Sequence, residues 1–186
     1  PTLVKDGLWL KGVPVYRGTI ALDRHAVVPD SDSPPVARLR EGGAFLLGKT
    51  TMCDLGMFGS GYSSKFGPTR NPHDPARTSG GSSSGSSAAI AAGMIPVAIG
   101  TDIVGSIRQP ASFCGIVGLK PSYGRVPTWP NSSPAAVAGP LARTVAGAAL
   151  LLDTLARPDA RDFACLATDP QPWTEGLDRP VAGLRI

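Results

Sequence analysis

Gly80-Gly81-Ser82-Ser83-Ser84-Gly85-Ser86-Ser87 runs directly into Ala88-Ala89-Ile90-Ala91-Ala92-Gly93-Met94. Pro96-Val97-Ala98-Ile99 follows, and then Gly100-Thr101-Asp102-Ile103-Val104-Gly105-Ser106-Ile107-Arg108. By composition the first run is a flexible linker. Its neighbours oppose that reading. An Ala-rich helix over Ser86–Met94, with serines at its start suited to N-capping, leads into an apolar strand over Pro96–Ile99 within one compact pattern. The alternative is a tight turn at a helix N-terminus, where small side chains leave N–H groups open to a reacting group.

Working outward, the same alternation continues. Val36–Glu41 reads as the end of a helix closed by Gly42 and Gly43. Ala44–Leu47 reads as a buried strand, and Ile116–Leu119 as another. Thr144–Ala156 carries apolar residues at Val145, Ala148, Ala149, Leu152 and Leu155, which is helical spacing, with Pro158 beyond its end. Residues 1–35 are extended and turn-rich, and residues 126–186 open with a Pro-rich loop. Strands alternating with helices define an α/β sheet with helices packed on it.

The segment after Pro96–Ile99 sits at the carboxyl end of a strand, where α/β sheets place ligands. A serine in a tight turn after Gly105 has neighbouring N–H groups aimed at one point, as an acyl-transfer oxyanion requires. A strand-to-helix loop capped by Ser106, with Asp102 and Arg108 as a structural pair, is the other reading of this segment alone.

Together the motifs resemble the amidase signature family. The match comprises Gly80-Gly81-Ser82-Ser83, Gly100-Thr101-Asp102, Gly105-Ser106-Ile107-Arg108, Phe113-Cys114-Gly115 and Gly118-Leu119-Lys120-Pro121. Upstream it includes Gly48-Lys49-Thr50 and Phe66-Gly67-Pro68-Thr69-Arg70-Asn71-Pro72. The resemblance implies an α/β fold with a mixed, mainly parallel sheet covered by helices on both faces. Because relatives are longer, residues 1–186 read as one domain incomplete at both ends. It further implies that Ser106 is the nucleophile and that Ser82, preceded by a cis peptide bond, is the proton relay. Lys5, in Leu3-Val4-Lys5-Asp6, is the base, preferred over Lys49 because Lys49 falls in a separate strand-ending motif. Backbone N–H groups of Ile103, Val104, Gly105 and Ser106 would hold the oxyanion, with Thr101, Asp102 and Arg108 in support. Lysine serves as a base only if burial disfavours its ammonium.

Two features complicate this reading. Val104 stands where the family usually has glycine, and a β-branched residue resists positive φ, so strain in the oxyanion turn is expected. Lys5 lies four residues from Pro1 and is expected to fray and remain protonated, which predicts that residues 1–186 alone are inactive.

The remaining composition narrows the function class. Hydrophobic residues make up 42% and charged residues 17% of the 186 residues, a globular balance. The formal charge of +4 is dispersed, without the basic clusters of a nucleic-acid module. No apolar run is long enough to span a bilayer. Cys53, Cys114 and Cys165 are odd in number and widely spaced, which suits reduced thiols in the cytoplasm. With only His25 and His73, a histidine-rich metal site is not expected, and the chemistry requires neither metal nor cofactor. The expected partner is a small-molecule amide, with homo-oligomerisation left open.

Four rival readings stand beside this one. Gly43-Ala44-Phe45-Leu46-Leu47-Gly48-Lys49-Thr50 fits the phosphate-loop pattern, with Leu150-Leu151-Leu152-Asp153 imitating its acidic partner strand, although its middle residues are all apolar. Gly81-Ser82-Ser83-Ser84-Gly85 fits a nucleophile elbow, but no histidine follows residue 73. The third is the glutaminase subunit of a tRNA amidotransferase, disfavoured because residues 51–59 lack the Asp-Glu-Phe pattern common there. The fourth is an inactive, amidase-like binding module.

Overall fold

The protein was described from a computed structural model covering residues 1–131, 133–183 and 185. In chain order its elements begin with β1 (Thr2–Lys5), α1 (Pro34–Glu41) and β2 (Leu46–Thr50). Four short strands follow: β3 (Tyr62–Ser63), β4 (Gly67–Pro68), β5 (Arg70–Asn71) and β6 (Asp74–Thr78). Next come α2 (Ser84–Ala91), β7 (Val97–Asp102), α3 (Arg108–Cys114), β8 (Val117–Gly118), β9 (Val137–Ala142) and α4 (Val145–Leu155).

The main sheet has the order β2-β1-β7-β9-β8. Strand β1 is parallel to both β2 and β7, whereas β9 is antiparallel to both β7 and β8. Four strands therefore run in one direction and β9 alone is reversed, giving a mixed, mainly parallel sheet. Alternation along β7 then assigns the helices. Ala98 packs with Ile90 of α2 and Ala111 of α3, while Ile99 packs with Leu39 of α1 and Leu152 of α4. Both faces are covered, as a mainly parallel sheet requires.

The Gly/Ser run is not a linker. It forms the turn into α2 and that helix's first residues, and its small side chains let the helix approach the sheet. A Cβ on Gly85 would lie 2.6 Å from the Thr51 nitrogen. Ser86 Oγ meets Thr50 Oγ1 at 2.7 Å. Helix α4 follows the expected period, with Thr144 accepting the Gly147 N–H at its N-cap. Val145, at its first position, is exposed and Leu151 is buried in its place.

Three expectations were displaced or refined. Strand β2 is Leu46–Thr50 rather than Ala44–Leu47, because its register pairs Thr50 with Lys5 and extends the ladder into polar residues. The turn-rich first segment contains β1, the strand between β2 and β7. The supposed Pro-rich loop contains β9, all six of whose residues are buried. Gly139 and Pro140 within it read as turn signals. Here the glycine admits a close crossing, since a Cβ would lie 2.5 Å from the Leu119 carbonyl oxygen. No described helix is long and apolar enough to cross a membrane.

Candidate active site

Parallel strands bring their carboxyl ends to one level, and the site lies there. Lys5 ends β1, Thr101 and Asp102 end β7, and the turn into α2 carries Ser82. Lys5 Nζ lies 2.7 Å from Ser82 Oγ, 2.8 Å from Thr101 Oγ1 and 3.3 Å from the Thr101 carbonyl oxygen. The Gly81–Ser82 peptide is cis. Gly81 has no room for a side chain, since a Cβ would sit 2.7 Å from the Phe58 carbonyl oxygen.

Lys5 is 0% exposed. Burial pushes its pKa down to about 7, with the acidic groups of Cys53 and Asp102 pulling weakly the other way. Near pH 7 roughly half of such lysines are neutral, against a few per ~10,000 for an ordinary one. The expected fraying of this lysine does not occur, because β1 is held on both edges by β2 and β7.

Asp102 shapes the loop after β7. Fully buried, it accepts N–H bonds from Gly105 at 2.8 Å, Ile107 at 3.0 Å and Arg108 at 3.3 Å. The Arg108 guanidinium grips both carboxylate oxygens at 3.0 Å. Burial alone would raise the Asp102 pKa, but the bonds from Arg108 and the backbone outweigh it and hold the value at about 2. A depressed carboxylate pKa adds stability that is complete above the unfolded value of ~3.9 and is lost as pH falls through about 2. Asp102→Asn is therefore expected to cost about 2–3 kcal/mol at pH 7, since an amide cannot accept all these donors. Urea midpoints measured between pH 5 and pH 2 should fall in both proteins, but less steeply in the variant, which keeps the depressed carboxylate of Asp159 and lacks that of Asp102.

The same bonds revise the set of free donors. The Gly105 N–H is committed to Asp102, whereas those of Ile103, Val104 and Ser106 meet no acceptor among the described residues. Val104 is also not strained. Among described non-glycine residues only Arg17 and Leu55 have positive φ, and the Val104 side chain is 90% exposed. Gly105, at φ 132°, takes the demanding conformation instead.

Ser106 lines a pocket of about 80 Å³ together with Ser82, Thr101 and Ile103. Its hydroxyl makes no hydrogen bond with any described residue, while its carbonyl accepts the Ser83 N–H at 3.1 Å and joins the two loops. The pocket wall also includes Arg17 and Asn131, which sequence reasoning did not single out, and Met52 and Leu55 from the 51–59 segment. The two left-handed non-glycine residues both belong to this wall, and the Leu55 N–H bonds the Arg17 carbonyl at 2.8 Å. Such backbone costs of order 1–3 kcal/mol and clusters at functional sites. No local pattern in Tyr16-Arg17-Gly18 signals it.

Two rival motifs lose their support. Lys49 lies inside β2, not in a loop opening a helix, and pairs with Asp6 at 2.9 Å while donating to the Asp6 carbonyl at 2.6 Å. Asp153 lies on α4 and accepts from Trp173 and Thr174. Ser83, the elbow candidate, is buried with its hydroxyl on the Thr101 backbone. His73 binds the Cys114 carbonyl oxygen instead.

Comparison with known proteins places these features in context. A family model described as Amidase matches residues 1–186. A glutamyl-tRNA(Gln) amidotransferase subunit from Chromohalobacter salexigens is 44% identical over 189 residues, covering 100% of this chain and 38% of that protein. Among solved structures, 6-aminohexanoate cyclic dimer hydrolase superposes with a TM-score of 0.92 at 36% identity, covering 100% of this chain and 40% of its own. Peptide amidase from Stenotrophomonas maltophilia gives a TM-score of 0.81 at 38% identity, with coverages of 93% and 37%. The chain thus spans about 38% of the length of the curated relatives it matches.

Proposed function

The chain belongs to the amidase signature family, and from that premise we propose that it carries the catalytic centre of a serine amidohydrolase acting on a small-molecule amide. The observation that carries the reading is a fully buried lysine, its pKa lowered to about 7, 2.7 Å from a serine hydroxyl on the wall of a pocket that also presents the unbonded hydroxyl of Ser106.

In this reading neutral Lys5 accepts the Ser82 proton while Ser82 accepts that of Ser106. Ser106 Oγ bonds to the amide carbon, and the negative charge moves to the carbonyl oxygen. The N–H groups of Ile103, Val104 and Ser106 receive it; Gly105, committed to Asp102, instead sets the turn. Collapse breaks the C–N bond as Ser82 returns a proton to the leaving nitrogen. Water, activated through the same relay, then releases the acid and restores Ser106. Thr101 positions Lys5, and Asp102 with Arg108 holds the loop. A fluorophosphonate probe applied to the full-length protein should label Ser106; labelling elsewhere, or none, contradicts the reading.

The 44% identity to an amidotransferase subunit supports a second reading, as the glutaminase subunit of a tRNA amidotransferase. Against it stands Thr51-Met52-Cys53-Asp54-Leu55-Gly56-Met57-Phe58-Gly59, without the acidic pattern common in that glutaminase. Hydrolysis of a small aryl or alkyl amide by the protein alone favours the first reading, and glutamine hydrolysis only with added partner subunits the second. A reducing, cytoplasmic setting fits the three free thiols.

A further inference from the structure

The candidate pocket has one charged side chain on its wall, and the chemistry proposed above does not use it. The other lining residues are neutral, and Lys5 lies fully buried beneath Ser82. Arg17 is partly exposed and makes no ion pair or side-chain hydrogen bond among the described residues. Nearby acids are already engaged. Asp6 accepts the N–H groups of Tyr16 and Gly18 at 3.3 and 2.9 Å and pairs with Lys49. Asp54 accepts the Ser64 N–H at 2.7 Å, and Asp102 is taken by Arg108. The segment carrying Arg17 is held firmly. Asp6 grips its two flanking amides, Leu55 bonds its carbonyl, and the residue itself sits at φ 49°, a conformation glycine would adopt without penalty. Lys49, the lysine of the false phosphate loop, supports this arrangement through Asp6.

We propose that Arg17 selects the substrate by binding a carboxylate at the far end of a short acyl chain, so that the preferred amides are anionic. A guanidinium without a protein partner, pre-positioned in a pocket with no acid on its wall, presents paired donors matched to a carboxylate. The small volume of about 80 Å³ suits an acyl chain of only a few carbons. The proposal rests on the amidase reading of the site.

The test uses succinamate and butyramide, which match in length and differ in carrying a carboxylate or a methyl group. In the full-length Ser106→Ala protein, which should turn over neither, calorimetry should find succinamate bound about tenfold or more tightly. The advantage should fall below about threefold in Ser106→Ala/Arg17→Met and partly return with Arg17→Lys. With Ser106 present, Arg17→Met should raise KM for succinamate more than it lowers kcat. Equal binding of the two amides by the protein with Arg17 intact overturns the proposal, whatever the variants do. So does an Arg17→Met change that weakens both ligands alike, which would make Arg17 a strut. If the binding difference depends on Arg17 but neither amide releases ammonia with Ser106 present, Arg17 keeps its assignment and the amidase reading fails.

Discussion

Replacement of Ser106 by alanine in the full-length protein should lower kcat by roughly 10⁵–10⁶-fold and eliminate the acyl-enzyme burst, with little change in stability. The size of the effect follows from the role. Of the other described hydroxyls on the pocket wall, those of Ser82 and Thr101 accept from Lys5, and that of Thr128 bonds neither Lys5 nor Ser82 and so lies outside the relay. Stability should hold to within about 0.5 kcal/mol, since the Ser106 hydroxyl bonds no described residue and its carbonyl still receives the Ser83 N–H. Near-normal turnover by a folded Ser106→Ala protein would remove the serine from the mechanism and leave the amide-hydrolase reading without a nucleophile.

Lys5→Met should move activity and stability in opposite directions. Loss of the base is expected to cost about 10³–10⁴-fold in kcat. The parent's pH–rate profile should show an acidic limb near pH 7, the native pKa of Lys5, because an ammonium cannot accept the relay proton. Stability behaves differently. Depression of the pKa from its ordinary ~10.4 to about 7 means that the native state binds fewer protons than the unfolded chain between those values. Stability therefore rises with pH across that window, and the burial penalty, roughly 5 kcal/mol, is fully present below pH 7. Methionine has no charge to bury, so the variant should be about 1–4 kcal/mol more stable at pH 6, an advantage that shrinks toward pH 10. Lys49→Ala should instead lose stability through Asp6, keep the acidic limb near pH 7 and cost far less in rate. Urea titrations at pH 6 and pH 10, beside pH–rate profiles of the three proteins, separate these cases. A Lys5→Met protein less stable than its parent at both pH values would mean that the lysine contributes chiefly structural hydrogen bonds.

Much of this protein was legible from the chain alone. Periodicity located α4, and small residues before an apolar helix located the turn into α2, because both are local signals carried within one or two turns of chain. The resemblance of the Gly80–Arg108 motifs reached the family and nominated Lys5, Ser82 and Ser106. Local signals failed where partners decide. Gly139 and Pro140 look like a turn, yet β9 is a buried strand because β7 and β8 pair with its two edges, and Gly139 suits it because neighbouring backbone approaches too closely for a larger residue. Val104 looked strained, but φ is set by the whole loop, and Asp102 draws that loop so that Gly105 takes the unusual angle.

Lys5 shows the division most clearly. As a residue near Pro1 it reads as a frayed, protonated amine. Only the register of β1 between β2 and β7 removes its water, and desolvation rather than sequence sets its pKa. Arg17 lies wholly on the second side of that line. Nothing in its neighbours distinguishes it until the fold brings residues 6, 17 and 55 together around one pocket, since electrostatic environment is a property of distances in space and not of spacing along the chain.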